Sequence, residues 1–269
     1  MKKSVPVLTL VGVAIFGLSA VQAQTTIYQD TFQDTNSSLD TQAPTTAVDA
    51  FGASASATWS GGRSEFIEST ITNSLNVLVG AGGNIEYLTF TPQSGVVYQL
   101  SATLTNDFVS GNTDNWVTFG FITNTGATIY GGGGAPWILL KSSGEVEAYG
   151  GPGTAGGNKT ASTGAGILTN NTMTITLDTT TTLWTYKFSY LATDGTTLLS
   201  SATTAYATNP TITAVGIASY NNPTGTRTLD NFTLTATAVP EPSTYGLMAG
   251  ATGLIAAGIL RYRRRSRQG

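Results

Sequence analysis

Apolar and polar residues alternate in short runs over most of this chain. The runs fall at 25–32, 71–79, 85–90, 96–104, 116–122, 137–140, 145–149, 173–177, 183–191, 211–220 and 229–236, with 57–59 as a shorter extended piece. A period of two is the signature of strands, whose successive side chains face opposite ways. Within 116–122, Trp116, Thr118 and Gly120 share one face while Val117, Phe119 and Phe121 share the other. Turn residues separate the runs, and no helical periodicity interrupts them. The pattern predicts an all-β, antiparallel β-sandwich.

Several turns are readable. Thr91-Pro92-Gln93-Ser94-Gly95 divides two runs, Ser142-Ser143-Gly144 joins 137–141 to 145–149, and Asn124-Thr125-Gly126 separates 116–123 from a run at 127–130. Asp194-Gly195 between 184–191 and 196–200 reads as a two-residue hairpin turn. A meander of local hairpins is the simplest topology for this stretch. Two loops interrupt it, the glycine run 131–134 and the Gly-, Ala- and Thr-rich segment 149–166. The first lacks the lysine and helix of a phosphate loop; the second reads as a lid or the rim of a binding face.

The two ends follow a different pattern. Lys2 and Lys3 precede an apolar stretch at 5–18, and Val21-Gln22-Ala23 supplies a small-x-small cleavage site. Residues 1–23 therefore read as a secretory signal peptide. At the other end, 239–243 is Val-Pro-Glu-Pro-Ser, 245–260 is apolar without charge, and 261–267 is basic through Arg261, Arg263, Arg264 and Arg265. The apolar stretch predicts a single membrane helix of about 24 Å, short of a hydrocarbon core near 30 Å unless it extends through Tyr262. The arginines mark its cytoplasmic end. The body, 24–238, is thus expected outside the inner membrane with its C-terminus held in it.

Composition narrows the chemistry. The body holds five cations (Arg63, Lys141, Lys159, Lys187 and Arg227), against all of the chain's 15 carboxylates except Glu241. So acidic a surface has no electrostatic reason to bind nucleic acid. The chain has no cysteine and no histidine. Disulfides, Cys-His and Ser-His-Asp catalysis and histidine-ligated zinc are excluded. Oxygen-ligated calcium remains open as the cofactor these residues could hold, through Asp30, Asp107 and Asp230, with Asp34 nearby in sequence.

The C-terminal order of motif, apolar span and basic stop resembles the PEP-CTERM sorting tail of Gram-negative bacteria that make exopolysaccharide. Pro240, Glu241 and Pro242 match the motif, and Arg261 to Arg265 match its basic end. The resemblance implies an exosortase as partner, cutting near the motif, and the cell surface or the extracellular matrix as destination. The body is similar, more loosely, to concanavalin-like jelly rolls. The residues that carry this likeness are Ile27-Tyr28-Gln29-Asp30-Thr31-Phe32, Trp59, Trp184-Thr185-Tyr186-Lys187-Phe188 and Leu229-Asp230-Asn231-Phe232-Thr233-Leu234. That likeness implies pairing of the first and last strands.

Aromatic faces cover the apolar face of a pyranose, so Trp116, Tyr130, Trp137 and Tyr149 are candidate polysaccharide contacts, with Trp184 and Tyr220 behind them. Glu145 and Glu147 lie two apart in one run and would face the same way, about 7 Å apart. A glycosidase needs such a pair, but the third acid of strand-borne glucanase patterns is absent, and a charged, solvent-facing sheet edge is the plainer expectation. The reading is a non-catalytic, glycan-binding or matrix-forming body. A carboxylate-dependent hydrolase or lyase and a purely structural protein are the alternatives.

Overall fold

The computed structural model describes residues 23–33, 38–61, 66–69, 74–77, 84–106, 115–126, 129, 134–151, 158–162, 170–192, 194, 196–220, 227–239, 250, 254 and 255. Residues 1–22, the sorting motif, the arginine cluster and most of 245–260 lie outside this set; within the last, Gly250, Leu254 and Ile255 are helical. Among the described residues, no helix is long and apolar enough to cross a membrane.

The strands among the described residues are β1 (Gln24–Asp30), β2 (Thr46–Ala47), β3 (Phe66–Ser69), β4 (Ser74–Val77), β5 (Asn84–Thr89), β6 (Val96–Asn106), β7 (Trp116–Ile122), β8 (Trp137–Lys141), β9 (Val146–Gly150), β10 (Asn158–Ser162), β11 (Asn171–Asp178), β12 (Thr185–Leu191), β13 (Leu198–Ser200), β14 (Thr204–Ala205), β15 (Ala214–Tyr220) and β16 (Arg227–Ala238). They form two antiparallel sheets. The larger runs β13-β12-β11-β6-β16-β1-β2, with β3, β4 and β14 attached; the smaller runs β10-β9-β8-β7-β15-β5. The chain is therefore the antiparallel sandwich its alternation predicts, and β1 pairs with β16 from Gln24↔Thr237 to Asp30↔Phe232.

The larger sheet alternates cleanly. In β6, Val96, Tyr98, Leu100, Ala102 and Leu104 point inward, and in β11 Met173, Ile175 and Leu177 do the same. Opposite them lie Val117, Phe119 and Phe121 of β7, Ile138 and Leu140 of β8, and Val215 and Ile217 of β15. This single core excludes water from both inner faces and supplies most of the stability. Trp59 is wedged between Phe32 and Phe232, with ring centroids 6.0 and 5.1 Å away. Its indole N–H donates to Asp30 Oδ2 at 2.7 Å. Glu68, Glu86 and Arg227 are also buried, at positions whose parity matches inward Phe66, Leu88 and Leu229.

Leu229 and Phe232 both face inward although they are three apart, because a bulge between Asp230 and Thr233 absorbs the extra residue. Asn231 takes φ 54° there, a left-handed conformation asparagine tolerates.

Four sequence expectations are corrected. The segment 149–166 is not only a loop, since β10 within it pairs with β9. Strand β7 has β8 and β15 as its neighbours rather than the run that follows it; most of 127–130 lies outside the described residues. The expected meander is split, β7 to β10 lying in one sheet and β11 to β13 in the other. The turn at Asp194 is wider than two residues, because the last pair is Leu191↔Leu198, followed by Ala192 N–H to Thr197 C=O. Asp194 braces that turn. The Thr197 hydroxyl and the Thr197 and Thr196 amides donate to its carboxylate and hold it down at a pKa of about 2. The Ser142-Ser143-Gly144 turn is as expected: Gly144 N–H donates to Lys141 C=O at 2.9 Å, and Gly144 supplies φ 79°.

Candidate functional site

The outer face of the smaller sheet carries three successive rows of side chains, fixed by register. Tyr220, Trp116 and Lys141 are cross-strand neighbours on β15, β7 and β8. Two residues along, Ala218, Thr118, Leu139 and Glu147 form the next row, and beyond it lie Gly216, Gly120, Trp137 and Tyr149. Large rings thus flank a row that begins with an alanine and a threonine, and they lean over it. Thr118 is fully buried and donates its hydroxyl to Ile138 C=O at 2.5 Å.

Trp137 and Tyr149 stack with centroids 4.3 Å apart and planes 10° from parallel. Trp116 lies 6.4 Å from Trp137 at 44°, and 5.8 Å from Tyr220 at 21°. Neighbouring strands are about 4.8 Å apart, so rings stacked across them stand upright on the sheet. They wall a depression of about 400 Å³, lined also by Leu139, Lys141 and Glu147. Close approach makes it possible. A Cβ on Gly120 would lie 2.4 Å from Trp137 Cβ and 2.9 Å from Pro136 C=O, so only glycine fits beneath that indole.

One end of the depression is polar. Lys141 Nζ lies 2.8 Å from Glu147 Oε1 and 3.5 Å from Glu145 Oε2. The Tyr149 hydroxyl donates to Glu147 Oε2 at 2.5 Å. Burial, that hydrogen bond and the charges of Glu147 and Glu145 together push the Tyr149 pKa far up. Tyr149 is therefore a neutral donor, and Glu147 an acceptor whose two oxygens are each fixed by a partner. Lys141 bridges both carboxylates. The expected solvent-facing edge is overturned here. Glu147 is only 4 % exposed, because β10 covers β9 and makes it an interior strand. Glu145 itself precedes β9 rather than lying in it.

The structure thus brings together four of the named aromatics, Trp116, Trp137, Tyr149 and Tyr220. Tyr130 lies outside the described residues. Trp184 is elsewhere, against the inner core, with its backbone N–H held by Asn209 Oδ1 at 2.8 Å. Sequence reasoning named Lys141 only as a body cation and missed its place here. The signal was its alternation with Trp137 and Leu139 along one run.

The aspartates do not converge in the same way. Asp30 is buried and faces the core, where Trp59, the Phe32 amide and the Thr45 hydroxyl occupy its oxygens. Asp230 is on the outer side of β16, bonded to the Asn231 amide and side chain, and burial raises its pKa. Asp107 and Asp34 lie outside the described residues. Among the described residues no group of three acidic side chains is placed to hold a metal ion.

Residues 238–265 match the model of the PEP-CTERM protein-sorting motif. No curated protein matches the sequence. Among solved structures, the chain is similar to a lectin from Bauhinia forficata in complex with GalNAc, at 9 % identity and TM-score 0.46, covering 81 % of this chain and 100 % of that one. It is similar to the exoplasmic/lumenal domain of VIP36 in metal-free form at 7 % identity and TM-score 0.44, covering 70 % and 87 %. The carbohydrate recognition domain of Emp46p, also metal-free, gives 12 % identity and TM-score 0.44, covering 68 % and 89 %.

Proposed function

We propose that this chain, whose PEP-CTERM tail directs export and C-terminally anchored sorting to the cell surface, uses its sandwich to bind a neutral glycan without cleaving it. The observation that carries the reading is the depression on the smaller sheet, where aromatic walls meet a fixed polar corner. A pyranose has apolar C–H faces and a rim of hydroxyls. Trp116, Tyr220 and Tyr149 offer apolar surface to the former. Glu147 and Lys141 offer an acceptor and a donor to the latter, strengthened by their charges. With two carboxylates around one ammonium, the corner is net negative and repels uronates and other anionic sugars.

The fixed pairing of Glu147 suits binding rather than turnover, since its oxygens are committed to Lys141 and Tyr149. Exosortase is the partner that reads Pro240, Glu241 and Pro242, and the exopolysaccharide matrix is the destination that suits a glycan binder. A structural calcium on the aspartates Asp30, Asp107 and Asp230 is tested separately by the same assay.

The test is binding of the detergent-solubilised chain to neutral, uronate-containing and aminated polysaccharides, with calcium and with chelator, followed by tryptophan fluorescence. Neutral polymers are expected to bind without release of reducing ends, and Trp116→Ala to abolish the signal. Loss on chelation would show that glycan binding depends on calcium. A folded protein that binds none of the polymers, or a Trp116→Ala variant that binds as well as the parent, would sink the proposal.

A further inference from the structure

The last strand runs into the sorting motif without a linker. Ala238 pairs with Val96 and Thr237 with Val97. Val239 N–H then donates to Gly95 C=O at 2.9 Å, the last bond of the ladder. The next residue is Pro240, which has no N–H to continue it. Gly95 is itself tied down, donating to Thr179 C=O at 3.0 Å, while the buried Thr179 hydroxyl donates to Gln93 C=O at 2.6 Å. The chain therefore leaves the sandwich from a knitted end. Gln24, the first strand residue, leaves from the same place, opposite Thr237.

From Val239 to Tyr245, where the apolar segment begins, is six residues, at most about 20 Å of extended chain. Pro240 and Pro242 fix their own φ and keep Val239 and Glu241 out of the helical region. A segment with two prolines in three residues has little freedom to reorient. The end it leaves from carries little charge: its segments 48–56, 91–96, 178–185 and 206–213 hold two carboxylates and no lysine or arginine. Their two carboxylates are satisfied locally, Asp49 by the Ala55 amide at 2.6 Å and Asp178 by the Thr180 amide at 2.9 Å. Leu183 and Val48 stand exposed there.

We infer that in the tail-anchored state the sandwich stands upright on the bilayer, with the turn 91–95 and the connection 178–185 as the face that meets the lipid headgroups. The inference rests on the anchoring reading of the tail and is independent of glycan binding. It sets the aromatic depression on a side wall of the molecule. Tyr220, Trp116 and Lys141 form its row farthest from the membrane, since Ala214 and Ile122 lie at the basal ends of their strands.

The absence of cysteine makes the test direct. Ser94→Cys and Thr181→Cys label the base, and Ser143→Cys labels the turn at the opposite end. Each full-length chain is reconstituted in phosphatidylcholine vesicles containing a nitroxide-headgroup lipid, and quenching of an attached fluorophore is measured. Quenching is expected to be severalfold stronger at 94 and 181 than at 143. A twelve-residue Gly-Ser insertion between Val239 and Pro240 should abolish that difference. Equal quenching at 94 and 143 in the parent spacing, or a profile unmoved by the insertion, overturns the inference. A chain that does not co-float with the vesicles overturns the anchoring reading and this inference with it.

Discussion

The two outward faces of the sandwich are built on opposite principles. On the larger sheet most outward positions of the central strands are threonine, serine or glutamine: Gln99, Ser101 and Thr103 of β6, Thr172 and Thr174 of β11, Thr233, Thr235 and Thr237 of β16. Their hydroxyls meet one another across strands, as Thr103 and Thr172 do at 3.0 Å, and the face remains wet. On the smaller sheet the outward positions are Trp116, Ile122, Trp137, Leu139, Tyr149, Ala214 and Ala218, and they form a second apolar cluster of their own. An antiparallel sheet needs only one dry face. A second one, walled by rings and holding an ion pair, goes beyond what a sheet packed on one side requires. The contrast supports the proposal that this face is the one that binds.

The contrast can be broken most forcefully at Trp137. Because it is 5 % exposed, Trp137→Ala is expected to cost about 3–5 kcal/mol in urea unfolding. An ordinary solvent face would cost nearly nothing. Gly120→Ala should cost about 1–3 kcal/mol by overpacking, and the displaced indole should be visible as a shift in tryptophan emission. Glu147→Gln leaves Lys141 with Glu145 alone. It is expected to weaken glycan binding about tenfold, or about 1.4 kcal/mol, with a smaller change in the melt. Thr103→Val and Thr172→Val on the wet face should each stay within about 0.5 kcal/mol and leave binding untouched; a loss of binding there would end the distinction between the faces.

Alkaline titration probes the interior and the working face together. Burial raises the pKa of Tyr28, Tyr98, Tyr186, Tyr190 and Tyr206 in the sandwich and of Tyr149 outside it, Tyr98 to about 12. Above pH 10 the unfolded chain loses these protons while the folded chain keeps them. The stability they contribute is thus complete below pH 10 and falls as the pH climbs toward the folded values. Tyr149→Phe should make the fall of the unfolding midpoint between pH 10 and 12 shallower by one tyrosine's share; an unchanged slope would mean that Tyr149 ionises freely in the folded protein.

How much of this was readable depended on which face was wet. On β6, β11 and β16 one side faces solvent, so Leu100, Ile175 and Leu234 announce the core by alternation alone. On β7, β8 and β15 both sides are apolar, and the pattern cannot say which faces the partner sheet. The aromatic residues of the site were recognisable by type. Their juxtaposition was not, because it needs the pairing of Trp137 with Tyr149 and of Trp116 with Tyr220. Strand β10 was hidden by its Asn-Lys-Thr-Ala-Ser sequence, which carries no bulky apolar residue. Missing it made β9 look like an edge and Glu147 look solvated. The bulge at Asp230 and Asn231 was hidden too, since one inserted residue shifts parity without leaving a turn signal.

The place of β16 also sets when this protein can fold. It lies between β6 and β1, yet it is made of the last residues of the body, and its contacts with β1 join positions more than two hundred apart. Until it arrives, the larger sheet is three fragments, β13 to β6, β1 with β2, and β3 with β4, and closing so long a loop is slow. The strand that completes the sheet lies next to the PEP-CTERM motif, so in an exported chain it is the last part of the body to be delivered. Export and folding share one clock, read from the C-terminus.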